Sequence, residues 1–291
     1  NLGMSYIVNQ YKVMDKLSFM VEILNYVLDK VDHCYYKLED RHLYYNAYND
    51  SYVRDFAEDN DYNWETLRTA QDSRVDMDCD PTQPLEISVD WGSAASFLSV
   101  GQERCYDWRS TDNTINEFFV RRDDESDTEV NALADKFIAY YTHHACKRLT
   151  LYRDRYGDAR RANSKKTYNE LFVERLQKFG WEVEQLVHPG IEPPQHEKFL
   201  LWTYILAETD PRFPKVRINA TRCRYTLISM QNTRVVEDSH GRFAKDKSSE
   251  RRHSVLPEEA THFGDCVDKR IWTKYYTRLK VLSTTFVDGR V

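Results

Sequence analysis

The sequence predicts a mixed α/β fold in which a three-strand meander feeds a β-α-β unit, with helices flanking one sheet. Three observations carry this. Residues 85–121 hold three short apolar runs separated by turn formers. Residues 128–187 then read as helix, strand, helix, strand, and from 195 onward apolar residues recur mainly at helical spacing. Apolar residues make up 41% of the 291, which suffices for a sizeable core, and the 9 Gly and 8 Pro are too few for a low-complexity chain.

In order along the chain, Leu17, Met20, Val21, Leu24, Val27, Leu28 and Val31 form one face of an amphipathic helix. A Tyr-, Asn- and Asp-rich stretch follows with few aliphatics and reads as a long connection, so 1–84 is expected as a helical appendage and 85–291 as the main domain. Leu85-Glu-Ile-Ser-Val89 alternates as a strand until Asp90-Trp-Gly92 breaks it; 96–100 returns, and 116–121 is a third strand. Val130, Leu133, Ala134, Phe137, Tyr140 and Tyr141 predict a helix over 128–144. Residues 148–152 are a fourth strand, 168–179 a helix stopped by Gly180, and 181–187 a fifth strand. Helices are expected at 195–207, 221–231 and 263–279, and a strand pair at 233–236 and 242–244 around Asp238-Ser-His-Gly241. A meander followed by β-α-β is the layout of ribonuclease-H-like folds.

Several function classes fall away. No apolar stretch reaches the roughly 18 residues of a membrane span, and 1–9 lack a signal-peptide pattern. Six solitary cysteines without a CxxC pair read as reduced thiols of a cytosolic protein. The net charge of −6 argues against general nucleic-acid binding, yet it is unevenly spread. Residues 58–80 carry eight acids and two arginines, 147–166 eight basic residues and two acids, and 242–252 five basic residues and two acids. Such runs are ordinarily solvated faces; these two basic ones adjoin the acids considered next.

Asp90 ends the first strand before small residues, Asp154 follows the apolar run of the fourth, and Asp265 opens a late helix. Each alone has a structural reading: an Asx turn, a surface ion pair with Arg153 or Arg155, a first-turn helix acid. If strands one and four are neighbours, the three acids meet. Gathered carboxylates raise one another's pKa and need a counter-charge, and all-oxygen ligands favour Mg²⁺ or Mn²⁺ over zinc. Two such ions about 3.5–4 Å apart would activate water and stabilise the leaving oxygen of a phosphodiester. His262, three residues before Asp265, could orient water, pair with phosphate or bind Mn²⁺.

The tract 85–272 resembles the nuclease domain of the large terminase subunit of tailed bacteriophages and prophages, more narrowly a branch from Bacteroides-type hosts. The motifs are ISVDWGSAASFLSVGQ (87–102), LTLYRDRYGD (149–158), FGWEVEQLVHPG (179–190), RINATRC (217–223), GRFAKDKSSE (241–250) and THFGDCVDKRIW (261–272). The resemblance places metal-binding acids at Asp90, Asp154 and Asp265 and sets His262 beside them. Asp158 is an alternative second ligand, and Asp268 is either a fourth carboxylate or helix surface. KLSFMVEILNYVLDKVDHCYYKLEDRHLYY (16–45) resembles the linker between the two terminase domains. The ATPase domain expected upstream has a GxxxxGK(S/T) loop that these residues lack, so the chain is expected to be a nuclease without ATP hydrolysis.

The resemblance implies a Mg²⁺- or Mn²⁺-dependent endodeoxyribonuclease that cuts concatemeric genome DNA with two ions, in the cytoplasm of a bacterial host. Its partners would be double-stranded DNA, the ATPase domain, the portal and the small terminase subunit, with the isolated fragment a monomer. Arg153, Arg155, Arg160, Arg161, Lys165, Lys166, Arg242, Lys245 and Lys247 would hold the duplex through phosphates, without reading sequence. Two other readings compete: a non-catalytic DNA-gripping or portal-docking module, and a junction resolvase or transposase-type nuclease of the same fold.

Overall fold

The computed structural model describes residues 33–285 except 46, 64, 67–70, 107–108, 123–128, 154, 159–165, 188–192, 238–241 and 253. Two compact units divide after Cys34; the amphipathic helix expected in the first, Asn1–Cys34, lies outside the described residues. The second unit, Tyr35–Val291, contains a seven-stranded sheet of order β1-β7-β4-β3-β2-β5-β6. Residues 35–84, expected within the appendage, therefore fold with the sheet. Tyr35 and Tyr36 are buried among Leu201, Trp202 and Tyr275, and β1 (Leu43–Tyr44) pairs in parallel with β7 (Lys215–Asn219). Helix α1 (Asp50–Asp59), in the stretch read as a connection, is capped by Asn49, whose side chain accepts the Tyr52 N–H.

The meander is β2 (Leu85–Trp91), β3 (Ala95–Tyr106) and β4 (Arg109–Arg121), paired antiparallel. β5 (Arg148–Tyr152) then runs parallel to β2, and β6 (Glu182–Leu186) parallel to β5. Taken from the meander onward, the five strands lie in the order third-second-first-fourth-fifth, the ribonuclease-H-like arrangement expected. The neighbouring of β2 and β5 on which the site depends is thus present.

Period-two alternation divides β2 between the two faces of the sheet. Leu85, Ile87 and Val89 pack against Val130, Leu133 and Phe137 of α2 (Glu129–Tyr140) and Phe172 and Leu176 of α3 (Tyr168–Lys178). Helix α3 begins with a reciprocal capping box between Thr167 and Glu170. The opposite face is covered by α4 (Gln195–Ala207), α5 (Arg224–Asn232) and α6 (His262–Thr285), which meet Val216 and Ile218 of β7 and Phe97 of β3. The expected hairpin forms from β8 (Val235–Glu237) and β9 (Phe243–Lys245), with its turn outside the described residues. β7, not expected as a strand, bridges β4 and β1.

Candidate metal centre

Asp90 is the sixth residue of β2, on the face that meets α6, because Glu86, Ser88 and Asp90 alternate with the core residues Ile87 and Val89. Helix α6 lies along that face. His262 and Lys269 are seven positions apart on it, two helical turns, and so share a side. His262 Nδ1 is 2.8 Å from Asp90 Oδ2, and its ring stacks on Phe97 with centroids 4.6 Å apart. Lys269 Nζ donates to Asp90 Oδ1 at 2.6 Å and to the Val89 carbonyl at 2.9 Å. Asp265 faces the same place: Lys245 Nζ reaches its Oδ1 at 2.5 Å and Lys247 Nζ its Oδ2 at 2.6 Å.

Burial would push both carboxyls up, but the neighbouring cations outweigh it. Lys269 and His262 hold Asp90 well below the usual carboxylate range, and Lys245 and Lys247 hold Asp265 at about 2 even though Asp90 opposes them. Burial would lower the His262 imidazole; its bond to Asp90 prevails and raises it. Two ionised carboxylates that feel each other's charge thus stand beside a basic imidazole.

Asp90, His262 and Asp265 are therefore brought together. Asp154 lies outside the described residues, as do Arg160, Arg161 and Lys165. Asp158 is held by Arg153 and by the Asn169 amide, 3.0 Å away; the same Asn169 accepts from Trp91 Nε1 at 2.9 Å. Gly157 presses on that indole so closely that a Cβ would stand 2.4 Å from Nε1. Trp91 points to the α3 face of the sheet, away from Asp90, so this bracket fixes the turn after β5.

Two expectations are corrected. Lys245, expected against DNA, has a side chain 1% exposed and enclosed by Asp265 and Asp268, so it cannot meet a duplex. Asp268 is no surface residue: it is 1% exposed, because its side of α6 packs onto α4. Arg155, Arg242 and Lys247 are exposed, and Lys166 pairs with Glu174 at 2.6 Å. Lys269 was missed, although it lies four residues after Asp265, one turn along the same helix.

Among the described residues no three His, Cys, Asp or Glu side chains stand close enough to hold a metal ion by themselves. Asp90 and Asp265 nonetheless supply what Mg²⁺ or Mn²⁺ requires, hard oxygen donors that stay ionised. The donor chemistry fits, with the third expected acid at the undescribed position 154.

No protein-family model matches this sequence, and no curated protein matches it. Solved structures do. The large terminase nuclease domain of bacteriophage SPP1, with bound Mn, is 12% identical over 78% of this chain and 94% of that one, at a TM-score of 0.38. A mutant nuclease domain of the large terminase subunit of bacterial virus Sf6, with manganese and beta-thujaplicinol, is 9% identical over 66% and 89%, at 0.39. Thermus thermophilus RuvC is 8% identical over 67% and 96%, at 0.31. No helix among the described residues is long and apolar enough to cross a membrane.

Proposed function

We propose that 85–291 form a metal-dependent DNA endonuclease domain, the nuclease part of a phage-type packaging terminase that cuts concatemeric genome DNA. The observation that carries this is the convergence of Asp90 and Asp265 at the β2–α6 contact with His262 hydrogen-bonded between strand and helix. The register adds to it: Tyr152, two residues before Asp154, pairs with Ser88, two residues before Asp90. The motif resemblance supplies the packaging role, the double-stranded DNA substrate, the ATPase, portal and small-subunit partners, and the bacterial host cytoplasm.

When bound, Mg²⁺ or Mn²⁺, two ions in the family resembled, would supply Lewis acidity and a water acidified for attack on phosphorus. Asp90 and Asp265 would hold the metal, joined by Asp154. His262, fixed through Nδ1 by Asp90, presents its other ring nitrogen to a water or a phosphate oxygen. Lys247, 44% exposed, and Lys269, 19% exposed, can pass from the carboxylates to phosphate oxygens as the carboxylates take up metal. Arg155 and Arg242, both exposed, would steady the duplex backbone.

The test is nicking of supercoiled plasmid with Mn²⁺ by the wild type and by Asp90→Ala, Asp265→Ala and His262→Ala. Nicking by the wild type and its loss in both acid variants is the expected result; nicking unchanged by either acid variant would place the chemistry elsewhere. One observation favours the non-catalytic reading: each oxygen of Asp90 and Asp265 already has a lysine or histidine partner. Under that reading the wild type binds no divalent ion, and the acids anchor α6 and β9 to the sheet.

A further inference from the structure

Asp268 lies almost one turn beyond Asp265 on α6, and the mechanism above does not use it. Its Oδ1 accepts from the Tyr36 hydroxyl at 2.8 Å and from Trp202 Nε1 at 2.7 Å. Its Oδ2 stands 2.6 Å from Lys245 Nζ, the ammonium that also reaches Asp265 Oδ1. Lys245 sits over the rings of Tyr35 and Tyr36, 5.3 and 5.1 Å from their centroids. One buried ammonium is thus divided between two carboxylates, and the second carboxylate is pinned from behind by a phenol and an indole. Its side chain is 2% exposed, against 14% for Asp265 and 15% for Asp90, so it is enclosed behind the centre and not placed to serve as a ligand.

We propose that Asp268 is a positioning residue that sets the charge of the metal centre: by sharing Lys245, it keeps that lysine from neutralising Asp265 outright. The inference rests on the reading of Asp90 and Asp265 as holders of a divalent ion. Four carboxylates (Asp90, Asp265, Asp268 and Glu250) face three ammoniums (Lys245, Lys247, Lys269), so the contacting set carries one net negative charge while His262 is uncharged. Without the Asp268 charge the same set is neutral and no longer attracts the ion it should take up. Lys245 could not leave instead, because burial of an unpaired ammonium costs more than its bond to Asp265.

The probe is Mn²⁺ alone, titrated calorimetrically into the full chain. Asp268→Asn keeps the shape and an acceptor for Tyr36 and Trp202 but removes the charge. One unit of charge about 6 Å from a divalent ion amounts to about tenfold in affinity even at the dielectric constant of water, so Asp268→Asn should bind Mn²⁺ roughly tenfold more weakly. Asp268→Asn combined with Lys247→Met, which removes one ammonium, should return to near wild-type affinity. Wild-type affinity in Asp268→Asn overturns the proposal. So does a double variant that stays as weak as the single one, since a merely structural role for Asp268 is not rescued by deleting a lysine. If Asp268→Asn does not fold, Asp268→Glu decides, since it keeps the charge and alters the geometry: near wild-type Mn²⁺ affinity supports the proposal and a loss of about tenfold overturns it. Failure of the wild type itself to bind Mn²⁺ overturns the nuclease reading, and this inference with it; that result is distinct from the others.

Discussion

Arg270 offers a prediction whose size follows from the structure. Its side chain is fully buried and crosses Gly101 at the β3–β4 bulge, where a Cβ would stand 1.0 Å from Nη1. Nη2 lies 3.1 Å from Asp112 Oδ1 and donates to Thr114 Oγ1 at 2.7 Å. One turn on, Lys274 Nζ reaches Asp112 Oδ2 at 2.7 Å and Glu86 and Glu103 at 2.8 Å each. Three carboxylates therefore face two cations. Arg270→Met leaves three against one, and removing one partner of a buried pair costs about 3–5 kcal/mol. Asp112→Asn alone deprives both cations of a partner and costs a similar amount. Arg270→Met with Asp112→Asn returns the cluster to its original net charge, so the double variant should be at least about 2 kcal/mol more stable than the sum of the singles. Urea unfolding of the four proteins, compared at equal m values, measures this coupling. Additivity within about 0.5 kcal/mol would refute the idea that the cluster acts as one coupled unit clamping α6 to the sheet.

Gly157→Ala should drive Trp91 and Asn169 apart, since the new Cβ would meet Nε1 at 2.4 Å and the Asn169 amide oxygen at 2.6 Å. Thermal melting should show a loss of about 1–3 kcal/mol, and an unchanged Tm would mean that the turn relaxes freely. Glu117 accepts from the Tyr225 and Thr226 N–H groups at the start of α5, and burial pushes its carboxyl up from 4.5 to about 7. The folded state then binds more protons than the unfolded state between those values, so this contribution is full below pH 4.5 and is lost as pH rises through 7, by at most about 3 kcal/mol. Glu117→Gln should flatten that part of the stability–pH curve, and an identical curve in variant and wild type would contradict it.

What could be read from the sequence follows the physics of each element. β2 and β5 were legible because their apolar residues alternate or run together against a core face. β3 and β4 extend well past the expected ends, because their outer halves carry Gln102, Glu103, Asp112 and Asn113 into ion pairs and hydrogen bonds that hydropathy does not register. β1 is two residues long, and α1 buries only Ala57 among its described residues, so neither leaves a periodic trace. β7 holds only the first three residues of the quoted RINATRC motif, and although Val216 and Ile218 alternate between Pro214 and Asn219, two apolar residues make too short a trace to mark a strand by periodicity.

At the site, Asp90, His262 and Asp265 were legible from position within strand and helix. Their lysine partners were not. Lys269 meets Asp90 across 179 positions, and Lys245 is enclosed by Asp265 and Asp268 of α6 and by Tyr35 and Tyr36 from the other end of the chain. A charge run reads as a solvated face until the fold shows which of its members is enclosed.

The central claim is that Asp90 and Asp265 together hold a divalent cation. Calorimetric titration of Mn²⁺ into the wild type, Asp90→Ala and Asp265→Ala, with circular dichroism confirming that all three are folded, tests it most directly. The account predicts saturable binding by the wild type and its loss in both variants. Folded wild type that takes up no Mn²⁺ at millimolar concentration, or variants that bind as the wild type does, would contradict it.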